Sequence, residues 1–197
     1  MKIIFALLII SCSLIVQAQS ELAVSFTGNY NIANKTINEK FKNGFGGSTE
    51  FYYSFDDSPL SVSLSFSLAN FAATNEYLEA YKNAQQNIFP FEYSIHYFSV
   101  PVLAAVNYRF LREKKFQPFL GIGAGLYTLV HKIKQTGNYT SDTQKDFSYK
   151  FGVYPHLGAI YNISDGIGIL FKAGYNQTFG DGNNSYTDLR LGIIYKI

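Results

Sequence analysis

The stretch LSVSLSFSLAN, residues 60–70, decides the fold. Leu60, Val62, Leu64, Phe66 and Leu68 alternate with Ser61, Ser63, Ser65, Ser67 and Ala69. An alternation of period 2 makes a strand with two unlike faces. In a soluble sheet the apolar face meets a core, and in a membrane barrel it meets lipid. The rest of the chain separates these two cases.

The alternation recurs until eight strands are counted. Residues 21–32 put Leu22, Val24, Phe26, Gly28 and Tyr30 on one face, and 46–55 put Thr49, Phe51, Tyr53 and Phe55 there. After 60–70 come a strand ending at 98–110 (Phe98 to Phe110 on even positions) and one at 117–130 (Leu120 to Val130). The last three are 147–161 (odd positions from Phe147 to Tyr161), 167–178 (Ile167, Ile169, Phe171, Ala173, Tyr175) and 187–197. In the closing strand Leu189, Leu191, Ile193, Tyr195 and Ile197 share the apolar face. The links alternate in length. Asp56–Pro59, Leu111–Lys115 and the turn around Ser164-Asp165-Gly166 are short, whereas 33–45, 71–91, 131–146 and 179–185 are longer. Short turns at one end and long loops at the other are the rhythm of an outer-membrane barrel, and the strand lengths suit a bilayer.

The two faces differ in composition. The first carries no Asp, Glu, Lys, Arg or His in any of the eight registers. Leu60, Val62, Leu64, Phe66, Leu68, Leu189, Leu191, Ile193 and Tyr195 are therefore expected to face lipid, where a charge costs about 2–4 kcal/mol at mid-depth. The second face is small and polar, with Ser25, Thr27, Asn29, the serines of 61–67 and glycines such as Gly121, Gly123, Gly125 and Gly174. It also carries Glu50, Arg109, Lys150, Lys172, Asp188 and Arg190, read as a charged lumen network. Glu50 and Asp188 are too few to pair every cation, which leaves some to water or the strand ends. The alternative is a soluble lipocalin-type barrel around an apolar ligand. It fits poorly: charged residues make up 15% of the chain, below the quarter usual in soluble domains, and there is no Trp. Tyr53, Phe55, Tyr108, Phe110, Phe116, Tyr161 and Tyr195 at the short-turn ends, and Tyr30, Phe98, Phe147, Tyr149 and Tyr175 toward the others, form two aromatic girdles. The fold class is an all-β, eight-stranded antiparallel up-and-down transmembrane β-barrel.

The chain opens MKIIFALLIISCSLIVQAQS. A lysine, an apolar run and Val16-Gln17-Ala18 read as a signal peptide over 1–18, leaving a barrel domain over 19–197. Ile9-Ile10-Ser11-Cys12 is a loose lipoprotein-type alternative. Cys12 is the single cysteine, so the mature chain has no disulfide, thiolate metal site or Cys nucleophile. A net charge of +2 without a basic run excludes nucleic acid as a partner class.

YFSVPVLAAVNYRF (97–110) followed by KKFQPFLGIGAGLY (114–127) resembles the small outer-membrane barrels of Bacteroidetes, the porin family or PorT-like group, whose architecture OmpA- and OmpX-type barrels share. YTDLRLGIIYKI (186–197) resembles the closing strand read by the barrel assembly machinery, with Ile197 in place of the usual terminal Phe. The resemblance implies a cell outer-membrane location.

The search for chemistry returns little. His96 shares the outward parity of Val100 and Val102, His131 tops strand five with Asp142 and Asp146 in the loop beyond, and His156 faces the lumen. They do not converge, no nucleophile arrangement is recognisable, and no metal-ligand spacing is present. GIGAG (121–125) lies mid-strand, so it lines the lumen and does not cradle phosphate. Asn138-Tyr139-Thr140 matches a sequon. Within loop 71–91, NEYLEAYKNAQQN reads as a short helix capped by Thr74 or Asn75, with Tyr77, Tyr81 and Ala84 on one side. No catalytic residue, metal or cofactor is predicted. The expected function is a non-enzymatic outer-membrane protein with a structural or interaction role through its long extracellular loops. Expected partners are outer-membrane lipid and lipopolysaccharide, the assembly machinery, and an extracellular partner at loop 71–91. A narrow passive channel and a lipid A-modifying enzyme are the alternatives.

Overall fold

The computed structural model describes residues 21–85, 92–137, 141–180 and 184–197. The expected signal peptide over 1–18, with Cys12, and the 138–140 sequon lie outside the described residues. Eight strands follow in order: β1 (Glu21–Ala33), β2 (Gly44–Ser54), β3 (Leu60–Ala72), β4 (Glu92–Arg109), β5 (Phe116–Thr136), β6 (Ser141–Asn162), β7 (Ile167–Thr178) and β8 (Ser185–Lys196). Two helices sit in the links, α1 (Lys35–Asn38) after β1 and α2 (Asn75–Ala84) after β3.

Each strand pairs antiparallel with the next, and β8 returns to β1 with Ala23 opposite Lys196 and Ala33 opposite Tyr186. Closure removes the sheet edges around the barrel itself, and only the β5–β6 hairpin beyond Gly152 of β6 runs on without a β7 partner. Pro101 and Pro155 sit within strands without shifting the register. Phe66 faces Val102 on one side of Pro101 and Ala69 faces Ser99 on the other, with no extra residue between. The outward parity of β4 therefore holds up to His96.

The outward face is apolar throughout the wall. Phe26, Phe51, Leu64, Phe66, Ile122, Leu126, Leu157, Leu191 and Ile193 are all exposed, and so are Leu60, Val62, Leu68, Leu189 and Tyr195. Such a surface on a water-soluble molecule would aggregate, whereas a bilayer solvates it.

Two expectations are corrected. The link 131–146 is largely not a loop: β5 and β6 keep pairing without a slip from Phe116 opposite Tyr161 to Thr136 opposite Ser141. The apolar alternation stops at Val130, but a ladder in water needs only backbone partners, and polar residues continue it. The lumen is also not merely small and polar. Near the short-turn end it buries Tyr52, Phe119, Ile160, Leu170 and Ile194 together, and farther up Leu103, Tyr127, Leu129 and Tyr154. The inward glycines make room for these rings. A Cβ on Gly174 would meet the Tyr154 ring, one on Gly158 the Phe119 ring, and one on Gly152 the Tyr127 ring.

Candidate functional site

Glu50, Lys172, Asp188 and Arg190 come from three strands, β2, β7 and β8, and the inward parity of each strand aims them into the lumen. Lys172 of β7 donates to Glu50 of β2 at 2.5 Å, and Ser63 of β3 donates to the other Glu50 oxygen at 2.7 Å. The Lys172 ammonium also lies over the rings of Tyr52 and Phe119, at 5.5 and 5.7 Å from their centroids. On β8, Arg190 donates through Nε and Nη2 to Asp188 at 2.9 and 2.6 Å and stacks over Tyr154 at 4.8 Å. Its Nη1 reaches Ser48 at 3.2 Å. Asp188 further accepts from the Tyr154 hydroxyl at 2.8 Å and from Asn176 at 3.3 Å. Lys172 is 0% exposed, and Asp188 and Arg190 are each 1% exposed. Two carboxylates and two cations thus neutralise each other out of water, with hydrogen bonds filling the remaining positions, as buried charges require.

Arg109 lies nearer the short-turn end and takes a partner outside the charged set expected from the sequence. Glu21 sits at the inward start of β1, 3.7 Å from Arg109 and 3.3 Å from Lys196. Lys150 points inward opposite Tyr127 but is half-exposed, above the buried network.

The long-loop end is capped. Ile37 of α1, Phe41, Phe71, Ile95 and Tyr186 are buried in one cluster, with Tyr77, Leu78 and Tyr81 of α2 packed against it. α2 forms because Thr74 accepts from the Tyr77 amide, a standard N-cap, and Tyr77, Leu78 and Tyr81 then share a face. Ala84 stays exposed, so the packed side is narrower than its spacing suggests. Phe41 is the hub, its ring 5.7 Å from Tyr77, 5.4 Å from Tyr97 and 5.9 Å from His131. Around it opens a cleft of about 380 Å³ lined by Ile37, Lys40, Phe41, Tyr77, Tyr97, His131 and Asn184. Lys40 stands over the Tyr77 ring at 5.7 Å, and Asn184 donates to the Tyr97 hydroxyl at 2.9 Å. Aromatic faces, an ammonium, an imidazole and an amide converge here. That donor set suits binding.

The three histidines stay apart. His96 is on the outer wall beside Asn70 at 3.0 Å, His131 belongs to the cleft opposite Asp146 of β6, and His156 lies in the lumen 2.7 Å from Asn107. Among the described residues no group of His, Cys, Asp and Glu is arranged to hold a metal. No described helix is long and apolar enough to cross a membrane.

Known proteins share this architecture. The family model of the outer membrane protein beta-barrel domain matches residues 4–196. A major outer membrane protein from Thermus thermophilus shares the fold with a TM-score of 0.63 at 15% identity, over 89% of this chain and 99% of that one. Neisserial surface protein A (NspA) gives 0.52 at 14% identity, over 89% and 97%. At such identities the likeness is one of fold. No curated protein matches the chain. The closed strand order, the apolar wall and the match along nearly the whole sequence agree: this chain belongs to the outer membrane protein beta-barrel domain family and resides in the cell outer membrane.

Proposed function

We propose that this barrel is a non-catalytic outer-membrane protein that presents its loop end, the aromatic cleft and the exposed side of α2, as an interaction surface at the cell exterior. The short turns then face the periplasm, as is usual for such barrels. The observation that carries the reading is the order of layers inside the barrel. A fully buried ion network lies beneath an apolar cap built from α1, Phe41, Phe71 and α2. That arrangement favours a closed lumen and leaves the loop end as the part of the barrel presented to the cell exterior. The exposed side of α2 carries Glu76, Glu79, Lys82 and Asn83, a polar surface open to a partner. The residues 97–110 and 114–127 support assignment to the Bacteroidetes-type PorT-like group, with β8 engaging the assembly machinery during biogenesis.

Planar-bilayer recording of the purified barrel tests the sealed lumen: a flat baseline is expected, and steady conductance steps would replace the proposal with a passive channel. Lipid A mass profiles from cells with and without the gene are expected to coincide. A product lost on deletion would make the protein a lipid-modifying enzyme. Crosslinking from Glu79 or Lys82 on α2 is expected to capture a specific partner.

A further inference from the structure

The extended β5–β6 hairpin sets up a charge problem on the outer wall. Lys132 of β5 stands directly opposite Lys145 of β6, and both occupy the outward parity of their strands. Side chains opposed in this way have Cβ atoms about 5 Å apart, and like charges there repel. Lys134 lies two residues along on the same face, opposite Thr143 and diagonal to Lys145. On the other flank of Lys132 sits His96 of β4. Three ammonium groups thus gather on one patch just beyond the apolar wall.

Among the described residues the Lys132–Lys145 pair has no carboxylate directly opposite or diagonal to it. Among the described residues no carboxylate lies within ion-pair distance of Lys132, Lys134 or Lys145. Asp146 and Asp142 point to the opposite face of the hairpin, Asp146 toward His131. Glu92, the acid of β4, is diagonal to Lys134 and stands two same-face positions from His96, away from the Lys132–Lys145 pair.

The position of the patch names the counter-anion. The row directly inside it is Phe98, Val130 and Phe147, the end of the apolar wall and part of its aromatic girdle. A group held at Lys132 and Lys145 is therefore at headgroup level, with its apolar part against that girdle. We propose that the Lys132–Lys134–Lys145 patch binds the phosphate groups of an outer-leaflet glycolipid of the lipid A type, fixing one such lipid against the β4–β6 wall. The site is on the outer surface and is independent of the cleft and of what the loops contact.

The test uses the full mature chain folded in detergent and native mass spectrometry. The probes are lipid A bearing two phosphates and the same lipid dephosphorylated. The wild type is expected to retain the phosphorylated lipid in clear preference. K132Q/K145Q should weaken that retention about thirtyfold, the attraction of two lysines for an anionic surface. K132R/K145R should keep it. Heat-shifted mobility on a detergent gel verifies that each variant is folded, and the exposed single substitution K145Q gives the same direction if the double variant is not. Equal retention of both lipids by the wild type, or unchanged retention in K132Q/K145Q, would overturn the site. Displacement by inorganic phosphate at matched phosphate concentration would overturn its assignment to a lipid.

Discussion

On β3, Leu64 and Ser63 are neighbours with opposite obligations. Leu64 faces outward and needs only an apolar surrounding, which lipid supplies everywhere. Ser63 faces inward and donates to Glu50, which holds Lys172 from the other side of the lumen. The wall is a solvent-matching problem, tolerant of any apolar residue. The lumen is a fitting problem, in which the charged side chains answer for named partners. The same strands solve both because the pleat separates the two faces.

Perturbations on the two faces should differ in kind. The largest loss is expected from Glu50→Ala, which strands the Lys172 ammonium in the interior at about 3–5 kcal/mol. Urea unfolding in lipid vesicles would measure it, and the double variant Glu50→Leu with Lys172→Met should recover most of that loss. A Glu50→Ala barrel as stable as wild type would mean that the pair does not organise the lumen. On the wall, Leu64→Arg should cost about 2–4 kcal/mol by the same assay, while Leu64→Ile should stay within about 1.5 kcal/mol. Gly174→Ala tests the lumen by size alone. Its methyl would displace the Tyr154 ring from Asp188, at a cost of about 1–3 kcal/mol, with no change of charge. The smallest effect is expected from Thr74→Ala at the loop end. The lost cap should weaken α2 locally by about 1 kcal/mol, seen as faster amide exchange in 75–84, with global unfolding unchanged.

This contrast also explains what could be read from the sequence. Leu60 to Leu68 announce an outward face because lipid imposes one rule on every position and alternation expresses it. The aromatic lumen residues Tyr52, Tyr127, Tyr154 and Tyr186 are indistinguishable by type from those of the girdles; only their parity separates them, and contacts between distant strands give them meaning. Glu21 was missed as a partner for Arg109 because the two are 88 positions apart in sequence and meet only when the barrel closes. The β5–β6 hairpin was read as ending at Val130 since apolar alternation is blind to a ladder standing in water. The α2 helix was legible from Thr74, Tyr77 and Tyr81, whereas the cleft it helps to form depends on Phe41, Tyr97 and Asn184 arriving from three other segments.

The glycines opposite lumen rings have one more consequence. Across β5 and β6, Phe119 faces Gly158, Gly121 faces His156 and Gly123 faces Tyr154. A slip of one residue would turn the wall inside out, so alternation forbids it. A slip of two would leave every apolar residue outward and pass unnoticed by the lipid. It would, however, set Phe119 against His156 or against Ile160 in place of Gly158. The large-and-small pairing is thus a ruler inside the barrel. It marks register in steps that the membrane cannot sense.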